Sequence, residues 1–240
     1  MLLGVDTREG GGHAGLVGQA RRTGKGNWPV PVGIARPLVR TIFDQSLPRV
    51  PSELVSPDFL QRRATVAHAR WLLGKHLVRR HPDGRVEARM ITETEAYDGE
   101  RDLACHARAG RTARTEVMYA PGGRWYVYLC YGCHEMLNVV VGPADWPAAV
   151  LIRGVEGFPG PGRLTRALGI GRLLNGATAC SVESGLWLED RGVRFPRGAV
   201  TAGPRVGVDF AGAVWAAKPW RFRLETDAGV PAPPRSRVRR

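Results

Sequence analysis

The run Thr92-Glu93-Thr94-Glu95-Ala96-Tyr97, with His106 a short distance on, brings two carboxylates, a phenol and an imidazole into one stretch of the chain. A carboxylate can take a proton from water, and flanking rings can sandwich a planar group. Together these are what hydrolysis of a nucleobase from its sugar would need. Glu93 and Glu95 are two apart, so on a strand both side chains leave the same face. On local pattern alone, an ordinary solvated strand is the simpler reading. Tyr97 and His106 favour chemistry, because a carboxylate buried beside rings has its pKa raised and becomes a better base near neutrality.

A second aromatic group follows in Tyr126-Val127-Tyr128 and Tyr131; with Tyr97 these are four of the chain's five tyrosines. Alternation puts Tyr126 and Tyr128 on one face and sends Tyr131 elsewhere. A strand core with satisfied hydroxyls would look the same, but in a basic protein such rings also serve as stacking platforms, each contributing about 1 to 3 kcal/mol per base. Cys130-Tyr131-Gly132-Cys133-His134 has the Cys-x-x-Cys-His pattern of covalent haem attachment. It ends a predicted strand and no export signal precedes it, so the match is read as coincidence. As a zinc half-site it lacks a second ligand pair at the usual spacing. Neither haem nor a metal is expected at this motif.

The partner is bounded by charge. Thirty-five Lys and Arg against 22 Asp and Glu leave +13 on 240 residues, a field that draws in polyanions and points to nucleic acid or an anionic membrane surface. Only Lys25, Lys75 and Lys218 are lysines. Arginine suits bidentate phosphate contacts, although a GC-rich genome would produce the same bias. Few amines are available to form a Schiff base. No apolar run of about twenty residues exists to span a bilayer. Met1-Leu2-Leu3-Gly4-Val5-Asp6 does not resemble a secretory leader. A cytoplasmic, nucleoid-associated protein is therefore expected, with Cys105, Cys130, Cys133 and Cys180 as free thiols.

The elements that must position these groups begin near Pro51. Residues 1–50, rich in Gly, Pro and Arg, show no sustained periodicity and read as a flexible extension. Gly24-Lys25 there fails the phosphate-loop pattern, because five residues rather than four separate Gly18 from Gly24, and Gly26 takes the Ser or Thr position. Ser56 and Pro57 predict a helix over 57–73, stopped by Gly74. His81-Pro82-Asp83-Gly84 predicts a turn between strands at 77–78 and 85–97, which leaves Glu95 near a strand end. Further strands are predicted at 125–131, 136–141, 148–155, 186–189, 206–210 and 220–224, with a helix at 161–168. The expected fold is α+β: a single mixed domain over 51–228 with a curved, mainly antiparallel β-sheet and flanking helices, and a basic, flexible tail at 229–240.

Taken in order, 92–97, His106, Arg111-Thr112 to Met118, 123–131, Leu137-Asn138-Val139-Val140, Val150-Leu151-Ile152-Arg153, 160–170 and Gly203-Pro204-Arg205-Val206-Gly207-Val208 resemble the alkyladenine (3-methyladenine) DNA glycosylase family. The resemblance runs over about 51–224. It implies a monofunctional, base-flipping enzyme, monomeric and cofactor-free, that releases 3-methyladenine, 7-methylguanine, hypoxanthine or ethenoadenine from double-stranded DNA. It makes Glu95 the general base, with Arg153 on the water and phosphate side. Tyr97, His106 and Tyr128 become the walls against the extruded base, Val206 and Gly207 part of its pocket, and Tyr131 the wedge left in the duplex. Asn138 becomes the group that excludes the amine of normal guanine, and Glu93 is given no role. The segment between Glu156 and Gly160 is shorter than in the family. The alternative left open is a non-catalytic nucleic-acid-binding protein that uses the same basic, aromatic surface.

Overall fold

The structure is a computed structural model that describes residues 53–196 and 198–225; the expected extension at 1–50 and tail at 229–240 lie outside the described residues. Ten strands form one connected, antiparallel system. They are β1 (Glu53–Leu54), β2 (His76–Arg80), β3 (Val86–Asp98), β4 (Trp125–Cys130), β5 (His134–Val141), β6 (Ala148–Val155), β7 (Phe158–Pro159), β8 (Leu186–Asp190), β9 (Val200–Gly203) and β10 (Arg221–Leu224). The main path runs β1-β8-β2-β3-β6-β5-β4, with β10 joining β3 to β9 and β7 pairing with β6. Four short α-helices accompany it: α1 (Pro57–Leu60), α2 (Thr65–Leu72), α3 (Pro161–Ala167) and α4 (Ala213–Ala216). The mixed α+β domain and its mainly antiparallel sheet are those expected from the sequence. Among the described residues no helix is long and apolar enough to cross a membrane.

β3 organises the rest. Its first half pairs with β2 through the predicted turn, Arg80 opposite Val86, and its second half pairs with β6 and β10. Alternation then gives the sheet two differently built faces. Ala96, Trp125, Val127, Leu137, Val139, Val150 and Ile152 point into the main apolar core, together with Ala69 and Leu72 of α2. Trp125 is fully buried and its indole N–H donates to the Leu186 carbonyl at 2.9 Å. The intervening residues, Glu95 and Tyr97 on β3 with Tyr126 and Tyr128 on β4, leave the opposite face.

Two elements differ from the sequence expectation. The single helix over 57–73 is two helices interrupted at 61–64, and Ser56 makes no side-chain cap. Four of the residues at and around the break, Gln61-Arg62-Arg63-Ala64, offer no buried apolar side chain to hold a continuous helix on the core. Residues 206–210 do not form a strand. The strand lies earlier, at β9, and Gly207 adopts φ +72°, a left-handed conformation that breaks extension. The short segment after Glu156 closes as a tight hairpin, with Val155 opposite Phe158 and Gly157 at φ +80°.

Candidate active site

Sheet register sets out the site. Tyr126, Asn138, Leu151, Glu95 and Arg221 are successive partners across β4, β5, β6, β3 and β10, neighbouring strands being about 4.8 Å apart. Above this row opens a cavity of about 520 Å³. Glu95 lies in its lining with essentially no solvent exposure. Tyr97 and Tyr128 line it from β3 and β4, and His106 from a 3₁₀ turn, His106–Ala109. Val206 and Gly207 close one side, Arg153 and Asn138 lie on the sheet, and Tyr131 stands at the rim with 93% of its surface exposed. All nine residues singled out from the sequence therefore meet around one hollow.

Glu95 is held at both oxygens. Its Oε2 accepts from the Tyr97 hydroxyl at 2.9 Å and its Oε1 from the Val206 backbone N–H at 2.9 Å. The Arg153 Nε lies 3.5 Å from the same Oε1. Burial pushes the Glu95 carboxyl upward; Arg153, the Val206 N–H and the Tyr97 hydroxyl oppose that rise, and Glu93 adds to it. The result is a desolvated carboxylate fixed in orientation, with an affinity for protons above that of a surface glutamate. Burial and the neighbouring carboxylate also push Tyr97 well above the ordinary phenol value, so its hydroxyl remains a donor.

The rings form a connected wall. His106 meets Tyr128 edge-on at 4.6 Å between centroids, and Tyr126 and Tyr128 lie 5.2 Å apart. His106 Nδ1 is 2.9 Å from the Tyr126 hydroxyl. Burial, reinforced by Arg114 and Arg108, pushes the His106 imidazole down to about 4. It is therefore neutral near pH 7, a flat polar surface rather than a cation. Asn138 is buried, and its Nδ2 donates to the carbonyls of Tyr126 (3.1 Å) and Met136 (3.4 Å). Its NH2 is held by the backbone, and the residue also lines the cavity.

Tyr126, read from the sequence as sharing the face of Tyr128, joins the wall through His106. Several further contributors are not singled out by the sequence. Arg114, Met118 and Phe210 reach the cavity from loops whose course no periodicity gives. Arg205 and Asp102 form a buried ion pair, both side chains 0% exposed. Nη1 of Arg205 donates to Asp102 Oδ2 at 2.5 Å and to the Ala96 carbonyl at 2.8 Å, while Nη2 donates to Asp102 Oδ1 at 2.9 Å and the Trp215 carbonyl at 3.3 Å. This guanidinium lies over both Tyr97 and Trp220 and ties the chain next to Val206 to the strand that carries Glu95. Glu93, on the same face as Glu95, accepts from Arg153 Nε at 3.0 Å and Arg221 Nε at 2.5 Å.

A buried carboxylate opening into a ring-walled cavity on a basic surface suits a hydrolase that handles a flat, charged-backbone substrate, and the comparisons with known proteins agree. The family described as Methylpurine-DNA glycosylase (MPG) matches residues 58–159 and 158–228. A protein of Anaeromyxobacter dehalogenans strain 2CP-C is 49% identical over 186 residues, covering 74% of this chain and 86% of its own. One from Myxococcus xanthus is 46% identical, covering 69% and 88%, and one from Methanocella arvoryzae is 45% identical, covering 70% and 91%. All three are named "Putative 3-methyladenine DNA glycosylase". Fold and matches together define an enzyme that hydrolyses N-glycosidic bonds. The chain belongs to the methylpurine-DNA glycosylase family.

Proposed function

We propose that this enzyme extrudes 3-methyladenine from double-stranded DNA and hydrolyses its glycosidic bond, acting also on 7-methylguanine, hypoxanthine or ethenoadenine, as a monomer in base excision repair. Glu95 takes a proton from water. The water oxygen bonds to C1′, the C1′–N bond breaks, and its electron pair leaves with the base. The 3-methyladenine and 7-methylguanine rings are already cationic, so the departing pair neutralises them and no strong acid is required, whereas neutral hypoxanthine or ethenoadenine takes up a proton from solvent water as it leaves. Tyr97, Tyr128 and neutral His106 bracket the extruded ring, while Val206 and Gly207 close its edge. Arg153 holds the water and backbone side, and Tyr131 fills the space left in the duplex. Asn138 excludes bases that carry the guanine amine, which lies on the minor-groove edge.

The observation that carries this reading is Glu95 itself: a fully buried carboxylate, oriented by Tyr97 and Val206, facing a hollow walled by rings. Glu95→Gln keeps the shape and loses the base. Single-turnover release of 3-methyladenine should fall by about 10² to 10⁴, while affinity for the lesion duplex stays within a few-fold of the parent. Release at the parental rate would remove Glu95 from the chemistry.

A further inference from the structure

Two guanidiniums lie within reach of Glu95, and neither donates to it. Arg221 is its direct register partner on β10, yet its Nε goes to Glu93 Oε1 at 2.5 Å. Arg153 Nε is 3.0 Å from that same Glu93 oxygen and 3.5 Å from Glu95 Oε1. A single N–H points at one acceptor, and the shorter contact is to Glu93. The backbone arranges this choice. The β3–β6 ladder shifts register on either side of Glu93, an irregularity of the kind that re-aims a side chain. Its partner Gly154 leaves the room. A Cβ there would come within 3.2 Å of the Glu93 Cβ and 3.4 Å of its Oε2.

We propose that Glu93 is a positioning residue for this site: by collecting the hydrogen bonds of Arg153 and Arg221 on its own carboxylate, it keeps either guanidinium from donating to Glu95 and leaves Glu95 able to accept a proton. This rests on Glu95 being the base. It also gives Glu93 a function that the sequence pattern withholds. A direct arginine pair lowers a carboxylate's pKa by about 1 to 3 units and occupies the lone pair that a water proton must reach. The groups that line the hollows around the pair are Tyr97 on β3, Tyr126 and Tyr128 on β4, His134 on β5, Arg153 on β6, Arg163 on α3 and Arg221 on β10, with His106 and Arg114 reaching in from the turns between β3 and β4. Of these, only Arg153 and Arg221 make ion pairs with Glu93, and only Arg153 makes one with Glu95.

The test is the pH profile of single-turnover 3-methyladenine release from dimethyl-sulfate-treated duplex DNA by the full chain, between about pH 5 and 9. In Glu93→Gln the freed guanidiniums turn to Glu95. The acid limb should move down by about one pH unit and the plateau rate should fall about tenfold. Arg221→Gln leaves Arg153 more fully engaged by Glu93 and removes a cation, so its acid limb should move up. A merely structural Glu93 would lower the active fraction without moving the limb. An unmoved limb in Glu93→Gln, or limbs that move in the same direction in the two variants, overturns the proposal. Should Glu93→Gln fail to fold, Arg221→Gln decides alone: an upward shift supports the proposal and none overturns it. Glu95→Gln, run alongside, separates the two claims, because full activity there sinks the assignment of the base whatever Glu93 does.

Discussion

Arg205→Met removes the cation from the buried pair with Asp102 and nearly keeps the length of the stem. Four hydrogen bonds disappear, two to Asp102 and one each to the carbonyls of Ala96 and Trp215. Asp102 keeps its bonds from the Asp98 and Ala104 backbone N–H groups, at 3.1 and 3.0 Å, so it is not left bare. Breaking one side of a buried pair costs about 3 to 5 kcal/mol. The surviving amide bonds favour the lower end, and the two orphaned carbonyls add about 1 kcal/mol, giving about 4 kcal/mol. With a urea dependence of about 2 kcal/mol per molar, the unfolding midpoint should drop by about 2 M. Base release per folded molecule should fall too, because Val206, whose N–H orients Glu95, follows Arg205 directly. Replacing both partners, Arg205→Met with Asp102→Leu, should recover much of the stability. A loss below about 1 kcal/mol in the single variant, or a double variant no more stable than the single, would refute this account of what holds the Val206 segment.

Tyr131→Ala removes an exposed ring that packs on nothing in the core, so thermal stability should be unchanged within about 0.5 kcal/mol. Excision should slow more for a paired lesion than for the same lesion opposite an abasic gap, and equal losses on both substrates would end the wedge assignment. Asn138→Ser loses the amide bond to the Tyr126 carbonyl, a cost of about 1 kcal/mol measurable by thermal melting. It should also raise release of undamaged guanine relative to hypoxanthine from matched duplexes; a lower melting temperature with an unchanged ratio would make Asn138 structural alone.

Strands were the most legible part of the chain, because β-branched and aromatic residues concentrate in 125–130, 134–141 and 148–155 between turn residues. The interruption of the first helix was hidden, since Phe59, Leu60, Val66 and Trp71 keep an apolar pattern across the break at 61–64. Residues 206–210 read as a strand by composition, but Gly207 and the Glu95 contact at Val206 hold them as a loop. Tyr97, Tyr128 and Glu95 could be placed on strands from local spacing. Arg205 and Asp102 could not, because their partnership spans 103 residues and exists only once β3 and the loop before α4 are packed together. Glu93 was visible as a neighbour of Glu95, but the two arginines that give it meaning come from β6 and β10.

The tip of the β4–β5 hairpin carries a consequence for how DNA would be searched. Tyr131 at φ +49° and Gly132 at φ +71° are both left-handed, and the turn is closed by the Cys133 N–H on the Cys130 carbonyl at 3.2 Å. Holding a tyrosine in that conformation costs about 1 to 3 kcal/mol, a cost met within the folded protein before any duplex arrives. A ring set out in advance needs no rearrangement of its own to probe a base step. Where Tyr131 acts as the proposed wedge, the clock of the search then lies in the duplex: the time spent at each position is governed by how readily that base pair opens, and a weakened pair is recognised by its own dynamics.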